Sequence, residues 1–412
     1  MSHYKPYPAY RDSGVEWIGR VPEHWTVCKL NFRYSVELGK MLDQKKITGE
    51  HLIPYLRNQD VQWGTISSDD LPLIDISPDE YDRYTAVDGD LLVCEGGDVG
   101  RAAIWRGAPI GYQKALHRLR PRGRDHTQFM HDLLIAAKAW GVFLESDSKS
   151  TISHLPAEAF RTYRFPFPPL AEQQSISSTL DREIARIDGL IAMKTRFIEL
   201  LKKKIAALAS QPPDSADVRW IRLSHVCEVI SRPVLQQAGS SYIKLGLFNR
   251  GRGIFKRDDT DTEDMGDSDF FWIQPGDLIL SGQFAWEGAV ALAYEEHAEC
   301  VVSHRFPVIR GRHDRVLTEY LFAYFLTHHG DFVLNDCSRG SAGRNRPLNM
   351  GLLLGWKIPI PSAPIQREVA RLVHLERKIG ASVTKSVALL KERRSALITA
   401  AVTGQIDLRE AA

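Results

Sequence analysis

Side chains able to grip a polyanion recur in clusters along this 412-residue chain. Arg101 to Arg124 holds seven basic residues (Arg101, Arg106, Lys114, Arg118, Arg120, Arg122 and Arg124) and no acid. Lys244 to Arg257 holds five (Lys244, Arg250, Arg252, Lys256 and Arg257) and no acid. Ser338 to Arg346 adds Arg339, Arg344 and Arg346 among Gly, Ser and Asn. Such patches neutralise phosphates, and the forked side chains of Arg, Asn and Gln match the donor and acceptor pattern of base edges. Arg57-Asn58-Gln59 sets all three forked types side by side after an apolar strand segment. A solvated surface is the plain alternative for any single charge run. Recurrence of the patches in two halves of the chain argues for use.

Catalytic signatures are missing from the sequence. There is no G-x-x-x-x-G-K-[ST] phosphate loop, no H-E-x-x-H and no G-x-S-x-G. Glu95-Gly96-Gly97-Asp98-Val99-Gly100 lacks G-x-G-x-x-G spacing and reads as a tight turn. The two Pro-Pro pairs, at Pro168-Pro169 and Pro212-Pro213, do not fit the Asn/Asp-Pro-Pro-aromatic motif of DNA amino-methyltransferases. The 14 histidines show no ligand spacing, so no metal site is expected.

An internal duplication organises the elements that must position these side chains. Tyr55 matches Tyr242, Gly64 matches Gly251, Gly89-Asp90-Leu91 matches Gly276-Asp277-Leu278, and His117-Arg118 matches His304-Arg305, all at an offset of 187. Pro166, Pro168 and Gln173 match Pro359, Pro361 and Gln366 at an offset of 193. ELLKKKIAAL from Glu199 matches ALLKERRSAL from Ala388 at an offset of 189, so the second copy is expected to be shorter by four residues, about one helical turn. Asp90–Gly96 and Asp277–Gly282 read as short strands after a Gly-Asp turn.

Two segments read as long helices. In the first, Ile184, Ile191, Ile198 and Ile205 form one heptad track, and Leu180, Ile187, Leu201 and Leu208 form another interrupted by Lys194. No proline falls between Pro169 and Pro212. In the second, Val369, Val383, Leu390 and Leu397 share a track broken by Glu376, beside Leu372 and Ile379. Two such helices in one chain can pair with each other.

Composition bounds the rest. With 53 basic and 51 acidic residues the net charge is +2, so any nucleic-acid surface is local. Five scattered cysteines (Cys28, Cys94, Cys227, Cys300 and Cys337) argue against a disulfide framework. No apolar run suffices to span a bilayer and the N-terminus has no apolar leader, so a cytoplasmic location and no membrane partner are expected.

The whole pattern resembles the specificity subunit of type I restriction–modification enzymes. SGVEWIGRVPEHW (Ser13 to Trp25) is similar to that family's N-terminal segment. PPLAEQQSI followed by LDREIARIDGLI is similar to its central conserved region, and LLKERRSALITAAVTGQIDL (Leu389 to Leu408) to its C-terminal one. The resemblance implies an α+β chain of two duplicated mixed α/β target-recognition domains, at 1–166 and 212–360. These are separated by two long conserved helices, at 167–211 and 361–412, that pair as an antiparallel coiled coil. It implies a non-catalytic subunit in which each domain reads one half of a bipartite, asymmetric duplex DNA target. The implied partners are double-stranded DNA and two adenine-methyltransferase subunits, with two motor-nuclease subunits as further candidates. S-adenosylmethionine, ATP and Mg are then expected on the partners, and no cofactor on this chain.

Expected DNA contacts in the first module are Arg57, Asn58, Gln59, Lys114, His117, Arg118, Lys149 and Thr151. In the second they are Lys244, Arg250, His304, Arg305, Arg339, Arg344, Asn345 and Arg346. Lys149 and Thr151 enter because Ser148 to Leu155 precedes its helix much as Ala342 to Leu348 precedes the other. The competing functions are a protein-only coiled-coil scaffold with two binding modules, and an enzyme with an unfamiliar site.

Overall fold

The computed structural model describes residues 4–42, 49–143, 154–210, 218–235, 239–261, 268–340 and 346–409, with the side chains of 258–260 set aside. The chain divides into two units, residues 1–192 with 386–412, and residues 193–385.

The module of the first unit holds two four-stranded sheets. One is ordered Ala102–Ile104, Leu91–Cys94, Leu116–Pro121, Tyr34–Leu38, and is antiparallel throughout. The other is ordered Leu73–Asp75, Leu52–Leu56, Ile110–Tyr112, Thr85–Ala86, with its two central strands parallel. The helix Thr127–Ala139 covers the first sheet. Its residues Phe129, Met130, Leu133 and Leu134 are fully buried, which is the spacing of one apolar helical face.

The second unit repeats this order. Its sheets are Cys227–Ile230, Val308–Gly311, Leu278–Leu280, Val290–Leu292, and Ile254–Asp261, Ser241–Leu247, Val301–Ser303, Phe270–Trp272, again with one parallel central pair. Two short helices follow, Thr318–Phe325 and His328–Asp336, with Thr327 capping the second by accepting from Gly330 N.

The repeated Gly-Asp turn is a buried clamp in each module. Asp90 is 2% exposed and takes both Nε and Nη2 of Arg120, at 2.8 and 2.7 Å, together with the backbone N–H of Val87. Asp277 is fully buried between Arg232 and Arg310 and takes the N–H of Gln274. Charge-assisted, doubly bonded pairs of this kind fix geometry as well as energy.

These pairings correct one match read from the sequence. Arg120 corresponds to Arg310, and Ala115 O, which accepts from Glu95 N, corresponds to Arg305 O, which accepts from Gly282 N. The true offset there is 190, not 187, so His304-Arg305 answers to Lys114-Ala115 and not to His117-Arg118. The second module carries one more residue in the hairpin after the Gly-Asp turn and two more ahead of Val301.

The long helices are Leu170–Ala209 and Ala363–Val402, each of 40 residues. The expected shortening of the second is absent. Heptad sequences match one another at several offsets, and the match at 189 is such a coincidence. In the first unit Leu180 and Ile187 of the first helix share a core with Leu397, Ile398 and Ala401 of the second, and Arg394 pairs with Asp188 at 3.3 Å. In the second unit Lys202 and Lys204, late in the first helix, lie 3.5 and 3.6 Å from Glu376 and Glu368, early in the second. The helices therefore pack together and run antiparallel. The second ends at Gly404, which adopts φ +75° and whose added Cβ would meet Pro22 Cδ at 2.3 Å, a position that only glycine serves.

Each helix is tied to its module by one glutamine. Gln173, fully buried, accepts from His126 N at 2.8 Å and donates to Pro168 O and Asp125 Oδ1, both at 2.9 Å. Gln366, 5% exposed, accepts from Leu317 N at 2.9 Å and donates to Pro361 O at 2.8 Å. A side-chain amide donates and accepts at once, as this junction requires. In the first unit Glu172 adds bonds to Trp25 Nε1 at 3.0 Å and His24 Nε2 at 2.8 Å. Ile365 stands at the matching place in the second. Truncating either glutamine orphans a buried N–H and a buried carbonyl. Gln173→Ala and Gln366→Ala are each expected to cost about 1–3 kcal/mol, read as a lowered urea midpoint. A shift too small to resolve at either position would contradict the tie.

Candidate nucleic-acid interface

In the first module the strand Leu52–Leu56 ends in a tight turn over Asn58–Asp60. Asp60 is 5% exposed and its carboxylate accepts Arg57 N, Nε and Nη2 at 2.7, 2.9 and 2.8 Å. That partner raises the pKa of the Arg57 guanidinium further and holds it in place at the surface. Asn58 is spent internally. Its Nδ2 donates to Gly96 O and Ala115 O at 3.1 and 3.3 Å, and its Oδ1 accepts from Arg101 at 2.9 Å. Gln59 and Lys114 are exposed. Of the three forked side chains expected to meet bases, Gln59 and the edge of Arg57 face outward.

His117 and Arg118 lie inside the module. His117 is fully buried, with Nε2 donating to Leu155 O at 2.8 Å and its ring centroid 5.6 Å from that of Phe160. Arg118 is 5% exposed and donates to the carbonyls of Asp82 and Thr85 at 2.7 Å. Alternation along the strand Leu116–Pro121 was no guide to exposure, because that strand is central in its sheet and covered on both faces over His117 and Arg118. Both serve the interior here.

In the second module His304 and Arg305 are exposed on the turn after Val301–Ser303. Lys244 is half-buried, its Nζ 5.7 Å from the Phe270 ring centroid. Arg250 is exposed at φ +57°, a conformation that side chains rarely adopt, and its N–H donates to Glu287 O at 3.0 Å. Arg339 is exposed and bonded to Asp336. Arg346 donates to Ser338 O at 3.0 Å and lies 4.9 Å over the Trp286 ring. Lys149, Thr151, Arg344 and Asn345 fall outside the described residues. The backbone that follows those two stretches is alike, since Leu155 N donates to Glu95 O and Leu348 N donates to Gly282 O, both at 2.8 Å.

The structure brings Lys244 and Arg305 to one depression of about 690 Å³, together with Arg257 and Gln283. Neither Arg257 nor Gln283 was among the contacts expected from sequence. The signal available for Gln283 was the contrast between Glu95-Gly96-Gly97 and Gly282-Gln283-Phe284. Arg250 lines a separate cleft of about 1320 Å³ with Lys202 and Lys203. Among the described residues no three His, Cys, Asp or Glu side chains gather as a metal-binding group, and no helix is long and apolar enough to cross a membrane.

Comparison with known proteins agrees with this architecture. Residues 22–199 match the family model of the type I restriction modification DNA specificity domain. A solved structure from the type I R-M system, described for its complex assembly and conformational transition, is 18% identical, with 93% of this chain and 98% of that chain covered and a TM-score of 0.63. The HsdS subunit from Thermoanaerobacter tengcongensis is 16% identical, with 94% and 98% covered and a TM-score of 0.54. At these identities the structural likeness establishes the fold.

Burial lowers the pKa of His117 to about 4, and the bond to Leu155 O only partly offsets it. A buried neutral histidine loses stability on acidification, because the unfolded chain takes up the proton first. The loss begins as pH falls through about 6.5, the unfolded value, and is complete near pH 4, reaching about 3 kcal/mol. Urea titrations from pH 8 to 4.5 are expected to show this slope and His117→Phe to reduce it. An NMR titration of His117 centred near pH 6.5 would contradict the assignment.

Proposed function

We propose, from the match of residues 22–199 to the type I restriction modification DNA specificity domain, that this chain belongs to that family and reads a bipartite DNA target for an adenine-methyltransferase complex. Each module takes one half of an asymmetric duplex sequence. The chain supplies recognition, and chemistry belongs to partner subunits that carry S-adenosylmethionine, with ATP and magnesium serving motor-nuclease subunits where these join. The observation that carries the reading is the repeated build: the same sheet order, the same aspartate clamp and the same glutamine tie in both units, under different surface residues. A scaffold repeated faithfully while its exposed side chains diverge is what two different half-sites require.

The long helices have two roles in this account. They set the number of unread base pairs between the half-sites, by the same logic that links dimer geometry to half-site spacing. They also dock the methyltransferase subunits. Met193, Phe197 and Leu200 are 64%, 50% and 48% exposed and follow the i, i+4, i+7 spacing of one helical stripe, an apolar surface suited to a partner.

Two outcomes test these roles. A matched four-residue insertion in both helices adds about 6 Å, so the methylated motif is expected to gain one or two spacer base pairs with both halves unchanged. A changed half-site with an unchanged spacer would refute the ruler. Phe197→Glu with Leu200→Glu is expected to weaken co-purification of the methyltransferase at least tenfold while the chain's own melting curve stays put. Undiminished co-purification would place docking elsewhere.

A further inference from the structure

The two modules differ most where Gln283 and Arg305 stand. The backbone there is superimposable in its bonding: Gly282 N donates to Arg305 O at 2.7 Å as Glu95 N donates to Ala115 O at 3.0 Å. Gln283 therefore answers to Gly96, and Arg305 to Ala115. In the first module both carbonyls at this place are taken by the Asn58 amide, and Arg101 locks Asn58 in turn. The chain plugs the site itself. In the second module the matching place is the open depression of about 690 Å³.

The walls of that depression carry Lys244, Arg257 and Arg305, with Glu287 as their carboxylate. Arg257 sits 6.0 Å over the Phe255 ring and Lys244 5.7 Å from the Phe270 ring. Aromatic faces prop both cations. Among the described residues no carboxylate pairs with Lys244, Arg257 or Arg305. On the loop, Ser281 Oγ is buried and accepts from Gln283 N at 3.4 Å and Phe284 N at 3.1 Å, while Gln283 O accepts from Trp286 Nε1 at 3.1 Å. The backbone of Gln283 is thus held, and its side chain is left exposed.

Phosphates offer only acceptors, so they use a guanidinium or an ammonium and waste half of an amide. A base edge that presents an acceptor beside a donor uses both. Gln matches adenine in this way, and Arg matches the paired acceptors of guanine. Phe284, 39% exposed next to Gln283, suits a thymine methyl. We propose, on the DNA-reading function argued above, that Gln283 and Arg305 are specificity-determining residues that read base edges of the second module's half-site, with Lys244 and Arg257 holding the adjoining phosphates. The first module has only Gly96 and Ala115 at this place, closed by Asn58, and reads with Gln59 and Lys114 from the plugged surface.

The test uses the complete complex of this chain with its methyltransferase subunits, selecting bound duplexes from a randomised library. Gln283→Ala and Arg305→Ala are each expected to reduce base preference about 10- to 100-fold at one or two positions of one half-site. The other half-site and the spacer stay as in the wild type, and Gln59→Ala alters the opposite half. Retention of the wild-type motif in both halves by both variants would overturn the proposal, as would relaxation of both halves at once. If an alanine variant loses all binding, Gln283→Glu and Arg305→Lys decide the matter: a motif altered at the same half supports the assignment, and an unaltered one refutes it. A wild-type complex with no sequence preference at all would instead refute the function on which the proposal rests.

Discussion

The buried side-chain amide of Gln173, and its counterpart Gln366, is the interaction on which the rest of the architecture depends. Each bonds three parts of the chain at one point: the proline-rich strand end before a long helix, the first turn of that helix, and the N-terminus of the module helix that packs on it. The cost of burying an unpaired amide makes the arrangement all-or-none. With that tie in place, a module's orientation follows from the face of the helix it is fixed to. The aspartate clamps at Asp90 and Asp277 then hold the Gly-Asp turn in each module.

On this common frame the two modules differ at the loop junction. The first fills its loop junction with Asn58 and presents a closed, polar surface carrying Arg57, Gln59 and Lys114. The second leaves the junction open and lines it with basic, aromatic and amide groups beside Glu287. The charge balance of the whole chain says nothing of this, because many of its cations are spent on buried carboxylates and carbonyls. Arg118 and Arg120 belong to the densest basic run, yet one is sealed by backbone carbonyls and the other by Asp90. Arg305 comes from a sparser stretch and is exposed.

Much of the scaffold was legible in the sequence because it repeats. The matched Gly-Asp turns, the prolines and the paired glutamines are structural, and structure constrains residue type at fixed places. The heptads marked the long helices, although their own periodicity blurred the register and suggested a length difference that is absent. The site was less legible. Residue type alone marked Asn58 and His117 as recognition groups, but Asn58 is consumed by carbonyls 38 and 57 residues away in sequence and His117 by Leu155. Such long-range partners leave no local pattern. Three added residues in the second module moved His304-Arg305 out of register with His117-Arg118, and only hydrogen bonding between strands revealed it. Gln283 was visible merely as a place where the copies differ.

Under the proposed function this chain alone chooses the DNA sequence. The most direct measurement maps methylated adenines in a methylation-free host that expresses the partner methyltransferase with and without this chain. The account predicts one asymmetric bipartite motif, methylated only when the chain is present, with the two halves separated by a fixed spacer. The same motif methylated without the chain, or methylation with no bipartite motif in its presence, would contradict it.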